Sequence, residues 1–294
     1  MLTLALMVEI ASLVVADYGS AMELMIGRQD QGQSRWLARA AVDWGRNVLA
    51  EDKRTSQTDH LGEIWATKVA PTAVEDGEVA GEIVDYSGLF NLNGLVANGI
   101  VVPDQVESYK RLLRIIGISS GEADGLAAAL VDWLDDDEKR EANGAESTWY
   151  AEHGKRYRAA NGPLMDIDEL GLVRGYNEDV IDRLRSLVAA LPESVPLNVN
   201  TASPEVLSAV VAGLSIDDAR AIAARCLVSP NANVGSFLDQ LPKMATMPPA
   251  SRFSVSSRYF LVGGRAKYGQ AVTRMQVLLD RKSIWPEIVW QKIL

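Results

Sequence analysis

Asp132, Asp135, Asp136, Asp137 and Glu138 crowd into one short stretch of the chain. They close a segment, Ser120 to Trp133, whose pattern reads as a helix. The macrodipole disfavours carboxylates at a helix C-terminus unless a cation offsets their mutual repulsion. The chemistry such a group offers is the binding of a hard cation, since calcium takes roughly six to eight oxygen ligands from carboxylates and carbonyls. Aligned on an EF-hand loop with Asp135 in the first ligand position, Asp137 takes the third, Glu141 the seventh and Glu146 the twelfth. The fifth position is Lys139, however, and the sixth, where that loop needs Gly, is Arg140. The stretch is therefore an acidic loop with partly calcium-like spacing and not an EF-hand. A solvated acidic turn is the competing explanation, and spacing does not decide between them.

Other chemistry finds less support. Asp166, Asp168 and Glu169 alternate with Ile167 and Leu170, which suits the acidic first turn of a helix better than a general acid–base pair. There is no Gly-rich phosphate loop and no nucleophile elbow, and no catalytic residue is expected. His60 and His153 are the only histidines, which excludes a multi-histidine metal site. Cys226 is the only cysteine, so no intrachain disulfide can form; it reads as a small buried hydrophobe. Apolar residues make up 48% and charged residues 23% of the 294 positions, which fits a folded chain. The formal net charge of -10 argues against a nucleic-acid binder and is compatible with cation binding. The seven Trp residues read as core and interface anchors.

The elements that position the acidic loop can be traced from both ends. Residues 2–16, LTLALMVEIASLVVA, form an apolar run interrupted by Glu9. At about 1.5 Å per residue it covers only part of a hydrocarbon core of roughly 30 Å. Beyond it Leu24, Ile26, Trp36, Leu37, Ala40, Ala41, Trp44 and Val48 recur near helical spacing, with Gly19, Gly27 and Gly32 as candidate interruptions. Val79 to Tyr86 alternates like a strand. Arg252 to Val262 and Ala266 to Asp280 read as strands joined by a turn at Gly263-Gly264, and Ile284 to Leu294 as a last strand on an edge because of Pro286. Between these lie helical candidates: Pro103–Ile116, Ser120–Trp133, Asp166–Val173, Glu178–Leu191, Ser203–Ala212 and Ser215–Arg225. Hydroxyl residues precede acidic first turns near Ser119 and Ser203. The expected fold is α+β: a pilin-like N-terminal helix and an antiparallel β-sheet head, interrupted by a large all-α insert. The expected divisions are a stem at 1–51, a head at 52–95 and 251–294, and an insert at 96–250.

Within the insert, residues 197–226 resemble a helix-hairpin-helix element, in which a Gly-rich hairpin offers backbone N–H groups to a DNA phosphate. A DNA-binding or DNA-uptake protein is therefore the alternative function. Here Ser215 replaces the second glycine, and Asp217 and Asp218 follow, so the turn repels phosphate. No nucleic-acid partner is expected.

Four strings in register, DYSGLFNLNGL, ALVDWLDDDEKREANGAESTWY, YRAANGPLMDIDELGLVRGY and LNVNTASPEVL, resemble the K-type minor pseudopilins of bacterial type II secretion systems. The resemblance spans nearly the whole chain. It implies a structural subunit at the tip of the pseudopilus that starts assembly and supports protein export across the outer membrane. It implies I-type and J-type minor pseudopilins as partners, a single-pass inner-membrane anchor through residues 2–16, and a periplasmic C-terminal head. It also implies structural Ca2+ within the insert, carried onto Asp135, Asp137 and Glu146, with Asp132, Asp136 and Asn161 as further ligands. The family tends to have an acidic residue after the GAE triplet; Ser147 stands there, which favours one calcium over two. Glu9 lies deeper than the glutamate of major pilins and takes no registration role. Members carry a short basic leader ending in Gly that prepilin peptidase removes. This sequence opens at Met1 within the apolar run, so a start codon assigned too late is expected, with that peptidase a partner if an upstream leader exists.

Overall fold

The computed structural model describes residues 2–74 and 76–294, with side chains from residue 17 onward and at 7, 9 and 11–15. Met1, on which the expectation of a missing leader turns, lies outside them, as do several side chains of the expected anchor. The chain divides into two compact units. The first comprises Met1–Arg54, Ile64–Val84 and Leu261–Leu294; the second comprises Thr55–Glu63 and Asp85–Phe260.

Helix α1 runs unbroken over Leu2–Thr55. Gly19, Gly27 and Gly32 do not interrupt it, and a Cβ at any of them would meet nothing within 4 Å. The second half of α1 buries Ser34, Ala38, Val42, Gly45 and Leu49, a face at three- to four-residue spacing. The bulky residues of the sequence pattern point elsewhere: Trp36 and Trp44 are exposed, as are Leu24 and Ile26. Close approach of helix to sheet explains the small residues at Ala38 and Gly45. A Cβ on Gly264 would lie 3.4 Å from the Ala38 carbonyl oxygen and 3.6 Å from the Ala41 Cβ.

That contact also corrects the expected hairpin. Gly263 and Gly264 lie inside a strand, and the turn falls at Gly269, at φ 53°. Strands β1 (Val69–Val74), β2 (Gly77–Asp85), β3 (Tyr259–Tyr268), β4 (Ala271–Asp280) and β5 (Glu287–Ile293) form one sheet in chain order. The antiparallel β1–β2 register shifts between Val69 and Thr72, which places Pro71 in a bulge on an edge strand, where its missing N–H leaves no ladder bond unmade. Strand β5 is the other edge and begins directly after Pro286, whose carbonyl accepts the Arg46 guanidinium at 2.9 and 3.1 Å. Asp30 of α1 accepts the Gln270 N–H beside the β3–β4 turn at 3.1 Å.

The second unit enters the sheet order between β2 and β3 and is mainly helical: α2 (Pro103–Ile115), α3 (Ser120–Leu134), α4 (Ser147–Glu152), α5 (Glu178–Leu184), α6 (Pro204–Val210), α7 (Ile216–Val228) and α8 (Val234–Leu238). Tyr109, Leu112, Leu130, Leu207 and Phe237 are among its fully buried core residues. Helix α5 stops at Leu184, short of the expected Leu191, because Val188 and Ala189 pair in parallel with Phe90 and Asn91. Ile167–Leu172 is a 3-10 helix capped by Asp166. The molecule is thus α+β, with an N-terminal helix, an antiparallel sheet and a helical insert.

Within the second unit, two of the strings singled out in the sequence meet. Asp85, from DYSGLF, is buried and accepts the Ser87 N–H (2.8 Å), Asn198 Nδ2 (3.2 Å), Thr201 Oγ1 (2.5 Å) and Ser257 Oγ (2.5 Å). Asn198 and Thr201 belong to LNVNTA. Asn198 Nδ2 also donates to the Asp59 carbonyl, and Asp59 Oδ2 accepts the Ser257 N–H. A Cβ on Gly88 would run into Thr201, so the glycine of that string makes room for the network.

Candidate metal centre

Helix α3 carries Asp132 in its last turn, and Asp135 is its C-cap residue. The loop that follows returns to Glu146, the residue before α4, whose carbonyl accepts the Trp149 N–H at 2.8 Å. The return brings one carboxylate oxygen each of Asp132, Asp135 and Glu146 within 4.8 Å of one another. All three residues are buried, at 0%, 5% and 1% exposure.

Asp132 organises the loop from within, accepting the Glu141 N–H at 3.0 and 3.3 Å on its two oxygens. Gly144 lies directly on that carboxylate, and a Cβ there would run into it. By contrast, Asp135 Oδ1 and both Glu146 carboxylate oxygens are buried without a hydrogen-bond partner, as is Asn161 Oδ1. Burial pushes Asp132 and Asp135 up to about 6, aided at Asp135 by the neighbouring Asp137 and Asp132. Burial, then the Asp132 and Asp135 charges, pushes Glu146 up to about 8. Desolvated carboxylates of like charge with unmet oxygens form a destabilised arrangement that a bound cation would relieve. The donors are all oxygen, which suits a hard cation such as Ca2+ better than a thiolate- or imidazole-seeking metal.

The six residues considered from sequence separate in space. Asp132, Asp135 and Glu146 gather. Asp137 turns its carboxylate to the Lys139 N–H at 2.6 Å, and Asp136 is exposed against Gly99. Asn161 donates through Nδ2 to the Asp137 carbonyl at 3.0 Å while its Oδ1 stays unpartnered. Ser147 donates to Glu138 at 2.9 Å. Sequence reasoning passed over Gly144 and Arg174, although the first sits in an Asn-Gly pair and the second in the string LVRGY. Replacing Gly144 by alanine is expected to lower stability by about 1–3 kcal/mol through overpacking and to impair closure of the loop. Urea denaturation of the variant with and without calcium measures both effects.

The turn between α6 and α7 answers the DNA alternative. Gly213 has φ 82°, and a Cβ on it would lie 2.8 Å from the Met244 carbonyl oxygen. Chain packing accounts for that glycine without a phosphate. Arg220 pairs with Asp217 at 3.0 Å and Arg225 with Gln240 at 3.0 Å. The hairpin thus presents two carboxylates and two engaged arginines, and DNA binding is not supported.

The architecture defines a pilin-like class: a long N-terminal helix, a sheet in chain order and an inserted helical domain bearing an acidic loop. Two family models, both described as type II secretion system protein K, match residues 88–193 and 197–256. The type II secretion system protein K of Pseudomonas aeruginosa is 38% identical over 229 residues, covering 76% of this chain and 66% of that protein. The Klebsiella pneumoniae protein is 32% identical over 295 residues, covering 96% of this chain and 90% of that one. A chain in the crystal structure of the GspK-GspI-GspJ complex from the enterotoxigenic Escherichia coli type 2 secretion system superposes with a TM-score of 0.79 at 22% identity, over 92% of this chain and 99% of that chain. This chain belongs to the type II secretion system protein K family, the K-type minor pseudopilins of bacterial protein secretion.

Proposed function

We propose that this protein is a non-catalytic subunit at the tip of the type II secretion pseudopilus, joined there to I-type and J-type minor pseudopilins. In this role it starts pseudopilus assembly and supports export of folded proteins across the outer membrane. It is held in the inner membrane through residues 2–16, with its C-terminal head in the periplasm. Among the described residues no helix is long and apolar enough to cross a membrane. Support for the anchor comes from the exposed apolar side chains on the first half of α1, among them Met7, Leu13, Val15, Met22 and Met25. Such a surface suits burial among lipid or partner helices. Support for the partners comes from family membership and from the complex in which the similar chain was crystallised. Mixing the purified chain with its I-type and J-type counterparts is expected to give one co-eluting complex on size exclusion; three separate peaks would argue against the assembly role.

Within the helical insert, a calcium ion is held structurally by Asp132, Asp135 and Glu146, with Asn161 Oδ1 as a further oxygen. The observation that carries this is Glu146, 1% exposed with neither carboxylate oxygen partnered. The ion neutralises the acidic loop and keeps it closed over the end of α3. The full chain in detergent is expected to melt roughly 5–10 °C higher in saturating calcium than in chelator, the effect of about 3 kcal/mol of binding linkage on a domain of this size. Identical melting in the two buffers would remove the metal from the account and leave family membership untouched.

A further inference from the structure

We infer that Arg174 is the positioning residue of the cation loop, holding Glu146 in place from both sides and thereby setting the affinity for calcium. The inference rests on the calcium site proposed above. The loop from Asp136 to Asn143 is exposed and carries several carboxylates that repel one another and the buried cluster. Asp132 holds it from within at Glu141. Further along, Arg174 Nη1 donates to the Gly144 carbonyl at 2.8 Å and to the Asn143 carbonyl at 3.2 Å. These are the residues two and three positions before Glu146.

The same arginine grips the chain after Glu146. Its guanidinium carbon lies 4.8 Å from the centre of the Trp149 ring, and its backbone N–H donates to the Tyr150 hydroxyl at 3.1 Å. Trp149 and Tyr150 stand in α4, three and four residues beyond Glu146. Tyr150 is buried and packs edge-on against Trp133 with ring centres 5.6 Å apart, which ties the clamp to α3 beside Asp132. One residue, contributed by the segment after the 3-10 helix, therefore holds the chain on either side of the most buried unpartnered carboxylate in the loop, its guanidinium at Asn143, Gly144 and Trp149 and its backbone N–H at Tyr150. Groups that orient metal ligands commonly change metal affinity by about 10- to 100-fold when removed. The planar guanidinium is suited to the task because it combines donation to carbonyls with stacking on an aromatic face, which an ammonium cannot reproduce.

The sign of the effect separates positioning from electrostatics. Arg174 is a cation near a cation site, so its charge alone opposes calcium, and removing it would tighten binding. Positioning predicts the reverse. Calcium titrations by calorimetry on the full chain in detergent, for wild type, Arg174→Ala and Arg174→Lys, test this, with melting in chelator measured alongside. The expected result is a Kd about 10- to 100-fold weaker for Arg174→Ala, and weaker binding for Arg174→Lys despite its retained charge, with melting in chelator close to wild type. Unchanged or tighter calcium binding in both variants would overturn the positioning role, as would lower melting in chelator with wild-type affinity. If Arg174→Ala does not fold, Arg174→Lys carries the comparison. A wild-type chain that binds no calcium overturns the site itself and the inference with it.

Discussion

Replacing Asp85 by alanine is expected to destabilise the protein by about 3–5 kcal/mol at neutral pH, the range for removing one partner from a buried charged network. Four donors each lose one acceptor at once: the Ser87 N–H, Asn198 Nδ2, Thr201 Oγ1 and Ser257 Oγ. Asn198 and Ser257 are themselves buried, so water does not freely replace the lost carboxylate. The three chain segments joined here, around Asp85, Asn198 and Ser257, would then lack their common anchor. Urea denaturation measures the loss; a change under 1 kcal/mol would show that the network is incidental to stability.

The same residue should set part of the pH dependence. Burial raises Asp85 from the ordinary 3.8 to about 6, ahead of the opposing effects of its hydrogen bonds. A carboxyl raised in the folded state binds its proton more tightly there than in the unfolded chain. Its contribution is therefore full below about pH 4 and is lost as pH rises through about 6, a fall of about 3 kcal/mol. Asp85→Asn removes the titrating group. The acidic loop contributes equally to both proteins under identical calcium conditions, so the wild-type curve should descend between pH 4 and 7 relative to that of the variant. Parallel curves would contradict the assignment.

The second large effect reverses sign with the buffer. In chelator at pH 7, Glu146→Gln is expected to stabilise the chain by about 1–3 kcal/mol. Glu146 is raised from 4.5 to about 8 by burial and by Asp132 and Asp135, so without a cation its stabilising contribution is lost as pH rises toward 8. The neutral isostere removes that penalty, less the smaller cost of a buried amide lacking partners. In saturating calcium the order inverts, because the variant lacks a charged ligand and forfeits the gain that wild type draws from the ion. Melting curves of both proteins in the two buffers give four values whose crossing is the prediction. A variant less stable than wild type in both buffers would mean that Glu146 is held by contacts and not by a missing cation.

The sequence by itself determined the local features of this protein, because those depend on neighbours in the chain. The helix start at Ser203 is a local hydroxyl cap whose side chain accepts the Val206 N–H, whereas Ser119, read the same way, begins α3 at the expected place without a side-chain cap bond. The strand run around Val79, the edge position after Pro286 and the acidic crowd at the end of α3 follow from alternation, a missing N–H and charge, and are legible for the same reason. Four motif strings in order were enough to suggest the family. What tertiary structure decided is everything that depends on burial and on partners distant in sequence. It turned Gly263-Gly264 from a turn into a strand passing close to α1, and gave the buried face of that helix to Ser34, Ala38, Val42, Gly45 and Leu49 while leaving Trp36 and Trp44 outside. It placed Asp85 among donors more than a hundred residues away. In the acidic run, where all the carboxylates look alike in sequence, only the fold of the loop separates the exposed Asp136 and Asp137 from the buried Asp132, Asp135 and Glu146. Chain spacing sets which residue types are near one another; desolvation, which makes a carboxylate seek a cation, is fixed by what the rest of the chain packs around it.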